Sequence, residues 1–137
     1  MLERETLAKP SAATNTPTEN SSLIDPATVL SGCGGDAALL ADMTNLFEQE
    51  APELLARVEA AVRSADAEQL RMAAHALRGL VSAFSTRTAK VAEALEQLGI
   101  DGRATDAPKL YQPLYQSVQD LREALPSLTI EKLQELV

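Results

Sequence analysis

Apolar residues recur along the chain at the three-and-four spacing of amphipathic helices, and no stretch alternates strictly as a half-buried strand does. Asp25-Pro26 opens the first predicted helix, with Asp as N-cap and Pro at the first helical position, and Gly32, Gly34 and Gly35 are expected to stop it, leaving a short lid. From Asp36, the residues Leu39/Leu40, Met43, Leu46/Phe47, Leu54, Val58 and Ala61/Val62 mark a long helix to about Arg63, which Pro52 should kink or locally break. Ser64 to Asp66 reads as a turn, with Asp66 and Gln69 forming part of a capping box. The next helix runs to about Phe84 on the stripe Leu70, Ala73, Ala74, Leu77, Val81 and Phe84. Thr86 to Leu98 follows, with Val91, Ala94/Leu95 and Leu98 inward and Gly99 as terminator. After the loop IDGRATD, the residues Leu110, Leu114, Val118, Leu121 and Leu125 define a helix from near Ala107, with Pro113 in its first turns and Pro126 ending it. Thr129 to Val137 reads as a short terminal helix. Four main amphipathic helices on short loops predict an all-α, up-down-up-down four-helix bundle with a short N-terminal lid helix.

Composition adds boundaries to that picture. Residues 1–22 are rich in Ser, Thr, Asn, Pro and Glu, too poor in apolar material to pack, and are read as a disordered linker or tail before a bundle domain over 23–137. With 45% hydrophobic residues the chain can build one core without metal or disulfide support. Cys33 is the only cysteine, so no internal disulfide forms, and with one histidine there is no Cys/His cluster for zinc. There is no long apolar run and no signal-peptide start, so no membrane partner is indicated and a cytoplasmic location is expected. A net charge of −8 argues against nucleic acid, which needs a basic footprint.

The single histidine, His75, lies roughly 140–160° from the middle of its helix's apolar stripe, so it points to water beside Glu68, Arg71, Arg78, Gly79 and Ser82. Gly79, one turn further on, costs about 0.8–1 kcal/mol relative to alanine inside a helix. A residue without Cβ there leaves room for another molecule to reach the ring. Arg78 and Arg71 put guanidinium groups nearby, suited to anionic oxygens. An accessible nitrogen, a cleared approach and flanking cations read together as a phosphoryl acceptor.

His75-Ala76-Leu77-Arg78-Gly79, with Phe84 nine positions after the histidine, resembles the His-x-Leu-Lys/Arg-Gly signature of histidine-containing phosphotransfer (HPt) domains of two-component phosphorelays. An upstream Phe47-Glu48-Gln49-Glu50-Ala51-Pro52 helix and a downstream Ala94-Leu95-Glu96 helix extend the likeness from roughly Leu23 to Leu125. It departs at Leu80 and Val81, where small or hydroxyl residues are usual, at Ala83, where asparagine is common, and at Ser85, where glycine is usual. The resemblance implies that His75 accepts a phosphoryl group from a receiver-domain phosphoaspartate and passes it to another receiver aspartate. It implies partners among response-regulator receiver domains and a hybrid histidine kinase in cis or in trans, with the chain itself monomeric. A neutral imidazole needs no base to attack phosphorus. No carboxylate cluster for Mg²⁺ is apparent near His75, so the receiver is expected to bring the metal and this chain no cofactor. Arg78, and with it Arg71, would stabilise the phosphoryl oxygens, while Gly79 and Ser82 shape the docking surface. The chain would then be a carrier and not an independent enzyme.

Other readings carry less. Glu48, Glu50, Glu53 and Glu59 form a solvated helix face. Ser82 and His75 stand about 10 Å apart along a helix, beyond hydrogen-bond reach, and no orienting acid is apparent for hydrolase chemistry. The glycines around Cys33 lack the Lys-Ser/Thr of a phosphate loop, and Tyr111 with Tyr115 reads as packing. A histidine-kinase dimerisation fragment usually has an acidic residue after the histidine and a proline five positions on, where this chain has Ala76 and Leu80. A degenerate bundle that binds a partner without phosphate transfer is the remaining alternative.

Overall fold

The computed structural model describes residues 23–137, all helix, turn and loop; the expected tail over 1–22 lies outside them. Its elements are α1 Pro26–Cys33, α2 Ala37–Ser64, α3 Ala67–Val81, α4 Thr86–Ile100, a 3₁₀ turn Ala104–Asp106, α5 Pro108–Ala124, a second 3₁₀ turn Leu125–Ser127, and α6 Ile130–Leu136. The four long helices close into a ring in which α3 packs between α2 and α4, and α5 lies against α4 and returns to α2. This is the expected four-helix bundle. The lid α1 sits on α2 and is paired with α6.

Local chemistry starts the helices where their boundaries fall. The Asp36 carboxylate accepts from the backbone N–H of Ala38 (2.9 Å) and Leu39 (3.3 Å), Asp66 from Gln69 (3.1 Å), and Thr129 from Lys132 (3.1 Å), satisfying donors that a helix start leaves open. Ser85 caps α4: its hydroxyl accepts from the Thr88 N–H at 3.1 Å and donates to the Thr88 hydroxyl at 2.9 Å, fully buried. The residue that departs from the family pattern thus has a structural task. Asp25 stands at the N-cap of α1 but makes no side-chain cap bond there. Its carboxylate instead accepts from the Thr86 hydroxyl at 2.8 Å and its N–H donates to the Phe84 carbonyl at 2.7 Å, tying α1 to the α3–α4 turn.

Four boundary expectations are corrected. Pro52 does not break α2, because Ala51, Leu54 and Leu55 around it are buried and core packing outweighs one missing backbone bond. The histidine helix ends at Val81 and not near Phe84; Phe84 lies in the following turn and meets Phe47 edge-on, ring centroids 5.4 Å apart. Gly32 is inside α1, and the helix is stopped by Gly34 in the left-handed conformation at φ 59°. Gly99 does not terminate α4, which runs on to Ile100. It is a packing glycine: a Cβ there would stand 2.7 Å from both the Ala67 carbonyl oxygen and the Arg71 nitrogen, so its absence lets α4 press onto the α3 backbone.

The core takes Leu70, Ala73, Ala74, Leu77 and Val81 from α3, with Phe47, Val58, Leu95, Leu114, Val118 and Leu121 facing them, all buried. On α2 the pattern places one residue of each pair inside: Leu40 and Phe47 are buried while Leu39 and Leu46 are exposed. Cys33 is a buried free thiol. Among the described residues no helix is long and apolar enough to cross a membrane.

Candidate functional site

Because the α3 stripe is wholly buried, His75 on the opposite side projects outward, with its side chain 61% exposed. It borders an open groove between α3 and the first half of α4, lined by His75, Arg78, Gly79, Ser82, Thr86, Ala89, Lys90 and Glu93. The close approach allowed by Gly99 brings α4 side chains within reach of α3. Glu96, one turn before Gly99 and only 13% exposed, places Oε2 2.9 Å from His75 Nδ1.

That contact decides the tautomer. A carboxylate oxygen only accepts, so Nδ1 carries the proton and donates it to Glu96, and the lone pair of the neutral ring lies on Nε2. The Arg78 guanidinium nitrogen 3.2 Å from the same Nδ1 is then a contact and not a hydrogen bond, since two donors face each other there. Nε2 has no hydrogen-bond partner among the described residues. The ring is thereby oriented by its Nδ1 side, and Nε2 is left without a protein partner on an exposed side chain.

Arg78 is itself held by carboxylates: Nε stands 3.3 Å from Glu96 Oε1 and NH1 stands 3.7 Å from Glu93 Oε2. Glu96 Oε1 is buried without an aligned hydrogen bond, so the guanidinium holds it by charge. Gly79 is open: a Cβ added there meets nothing within 4 Å. The Ser82 hydroxyl donates to the Gly79 carbonyl at 3.0 Å instead of turning toward His75. Arg71 does not line the groove; Glu68 binds its guanidinium twice, at 3.1 and 2.7 Å, and that pairing holds the Glu68 carboxyl below its ordinary range and Arg71 above its own. At the rim, the Thr86 hydroxyl, and then Thr28, hold Asp25 below the usual carboxylate range.

The structure thus joins His75, Arg78, Gly79 and Ser82 in one groove and leaves Arg71 beside it. No orienting acid for His75 is apparent from helical spacing; Glu96 is one, and Lys90, Glu93 and Thr86 are further groove residues without a signal in the α3 pattern. They come from a second helix, 21 positions from the histidine in the case of Glu96, where helical spacing carries no signal. Lys90 forms no ion pair among the described residues. Also among the described residues, no group of three or more His, Cys, Asp or Glu side chains is placed to hold a metal ion.

A family model described as Hpt domain matches residues 42–136. The fold is similar to the crystal structure of histidine-containing phosphotransfer protein B (HptB) from Pseudomonas aeruginosa PAO1, with a TM-score of 0.69 and 21% sequence identity over 82% of this chain and 95% of that one. No curated protein matches the chain.

Proposed function

The chain belongs to the Hpt domain family, and from that premise we propose that it carries a phosphoryl group on His75 Nε2, taken from a receiver-domain phosphoaspartate and handed to another receiver aspartate. The observation that carries this reading is the 2.9 Å hydrogen bond from Nδ1–H to Glu96, which leaves the Nε2 lone pair exposed.

The transfer balances without a general base in this chain. Nε2 attacks phosphorus, the Asp–O–P bond breaks and the aspartate leaves as a carboxylate. The ring, now bonded to phosphorus and still protonated at Nδ1, becomes a cation against the Glu96 carboxylate, which supports the charge it develops. Arg78 shares its charge with the incoming phosphoryl oxygens, while Gly79 leaves the line of approach clear. The receiver supplies Mg²⁺ and the acidic residues that hold it. Reverse transfer uses the same contacts, so the chain is a carrier whose direction is set by its partners.

Incubation with phosphorylated receiver domains and Mg²⁺ tests this. Labelled phosphate is expected on the wild-type chain and none on His75→Gln. Transfer to His75→Gln, or labelling of the isolated chain by ATP and Mg²⁺ alone, would contradict it.

A further inference from the structure

Glu93 has no part in the bond changes, yet it faces the groove. It lies one turn before Glu96 on α4, its side chain is 61% exposed, and its Oε2 stands 3.7 Å from Arg78 NH1. Arg78 is therefore held by Glu96 on one side and Glu93 on the other. A phosphoryl dianion on Nε2 competes with both carboxylates for the guanidinium, whose NH2 already stands 3.2 Å from the ring. Glu96 is nearly buried and also holds the imidazole, whereas Glu93 is exposed and its contact is the longer one. Glu93 is the partner that yields first.

We infer that Glu93 is a positioning residue that restrains Arg78 and thereby slows phosphoryl uptake by His75; the inference rests on the carrier reading. The expected size follows from the exposure of the pair: exposed ion pairs support effects of about two- to fivefold at low salt. Above about 1 M salt, where screening reaches roughly 3 Å, the effect should fade.

The test uses phosphoramidate as a small donor, so no receiver is needed. The N–P bond of the donor breaks, ammonia leaves with that electron pair, and the Nε2–P bond forms while Nδ1 keeps its proton against Glu96. Uptake is followed by ³¹P NMR on the full chain. Glu93→Gln is expected to be phosphorylated about two- to fivefold faster than wild type at low salt and at the same rate in high salt. In an Arg78→Gln background the same substitution should bring no gain, because the restraint acts through Arg78. An unchanged or slower Glu93→Gln overturns the inference while leaving the carrier reading intact. A gain that persists without Arg78 also overturns it and assigns the effect to Lys90 or to net charge. If no variant is phosphorylated at His75, the carrier reading fails and takes this inference with it.

Discussion

Gly79 and Gly99 both lie inside helices and carry the same backbone penalty, about 0.8–1 kcal/mol relative to alanine, yet alanine should act oppositely at the two. At Gly79 an added Cβ meets nothing within 4 Å, so Gly79→Ala is expected to gain up to about 1 kcal/mol. At Gly99 the same atom would stand 2.7 Å from the Ala67 oxygen and the Arg71 nitrogen and 2.9 Å from the Arg71 Cα. These are backbone atoms of α3, so no side chain can swing away, and α4 must retreat by most of an ångström. Overpacking costs about 1–3 kcal/mol, and against unyielding backbone at this distance the upper part of that range, about 2–3, applies; less the helix gain of about 1, this leaves a net loss of roughly 1–2 kcal/mol. At roughly 4 °C per kcal/mol for a domain of this size, Gly79→Ala should melt about 3–4 °C higher and Gly99→Ala about 4–8 °C lower. Glu96 sits one turn from Gly99, so the retreat should also lengthen its 2.9 Å bond to His75 and slow phosphoryl uptake. Thermal melting by circular dichroism beside uptake from phosphoramidate reads both effects. A Gly99→Ala chain as stable as wild type would refute the packing role, and a destabilised Gly79→Ala would show that the open face is not open.

Glu96→Ala removes the acceptor that orients the imidazole; single-turnover uptake should fall by about tenfold or more with little change in melting, and an unaltered rate would remove Glu96 from the site. Gly79→Gln should melt no lower than wild type but accept phosphate from any receiver on the order of 10²-fold more slowly, since it fills the ground beside the ring; wild-type transfer would remove the steric reason for the glycine. Burial, and then the nearby Glu59 carboxylate, push the Tyr111 phenol up to about 12, so the folded state holds that proton longer than the unfolded chain, whose phenol titrates near 10. The stability this contributes is complete below pH 10 and is lost as pH rises from 10 toward about 12; urea midpoints across that window should fall more steeply for wild type than for Tyr111→Phe.

The fold was legible where one helix's own pattern decides it. The stripe from Leu70 to Val81 and the Asp66 cap are local signals, and both stand in the structure. The pattern places Phe84 on the correct side but in the wrong element, because the turn that carries it keeps it in the core beyond the helix end. Pro52 reads as a breaker by propensity, which counts the lost backbone bond but not the buried residues on either side. Gly99 could be read as a terminator from sequence alone; only the neighbouring helix shows that its missing Cβ is filled by backbone. The same limit applies to the site. His75, Arg78 and Gly79 share one helix and their spacing could be read, whereas Glu96 reaches His75 only after α4 has docked on α3.

The central claim is that the Nε2 nitrogen of His75 forms the bond to phosphorus. Phosphorus-nitrogen correlation NMR on the ¹⁵N-labelled chain, phosphorylated by a receiver domain with Mg²⁺, addresses it directly. One phosphorus resonance coupled to His75 Nε2, with Nδ1 protonated, lost in acid and retained in alkali, is the expected result. Coupling to Nδ1, an acid-stable phosphate on a hydroxyl, or a resonance that persists in His75→Gln would contradict it.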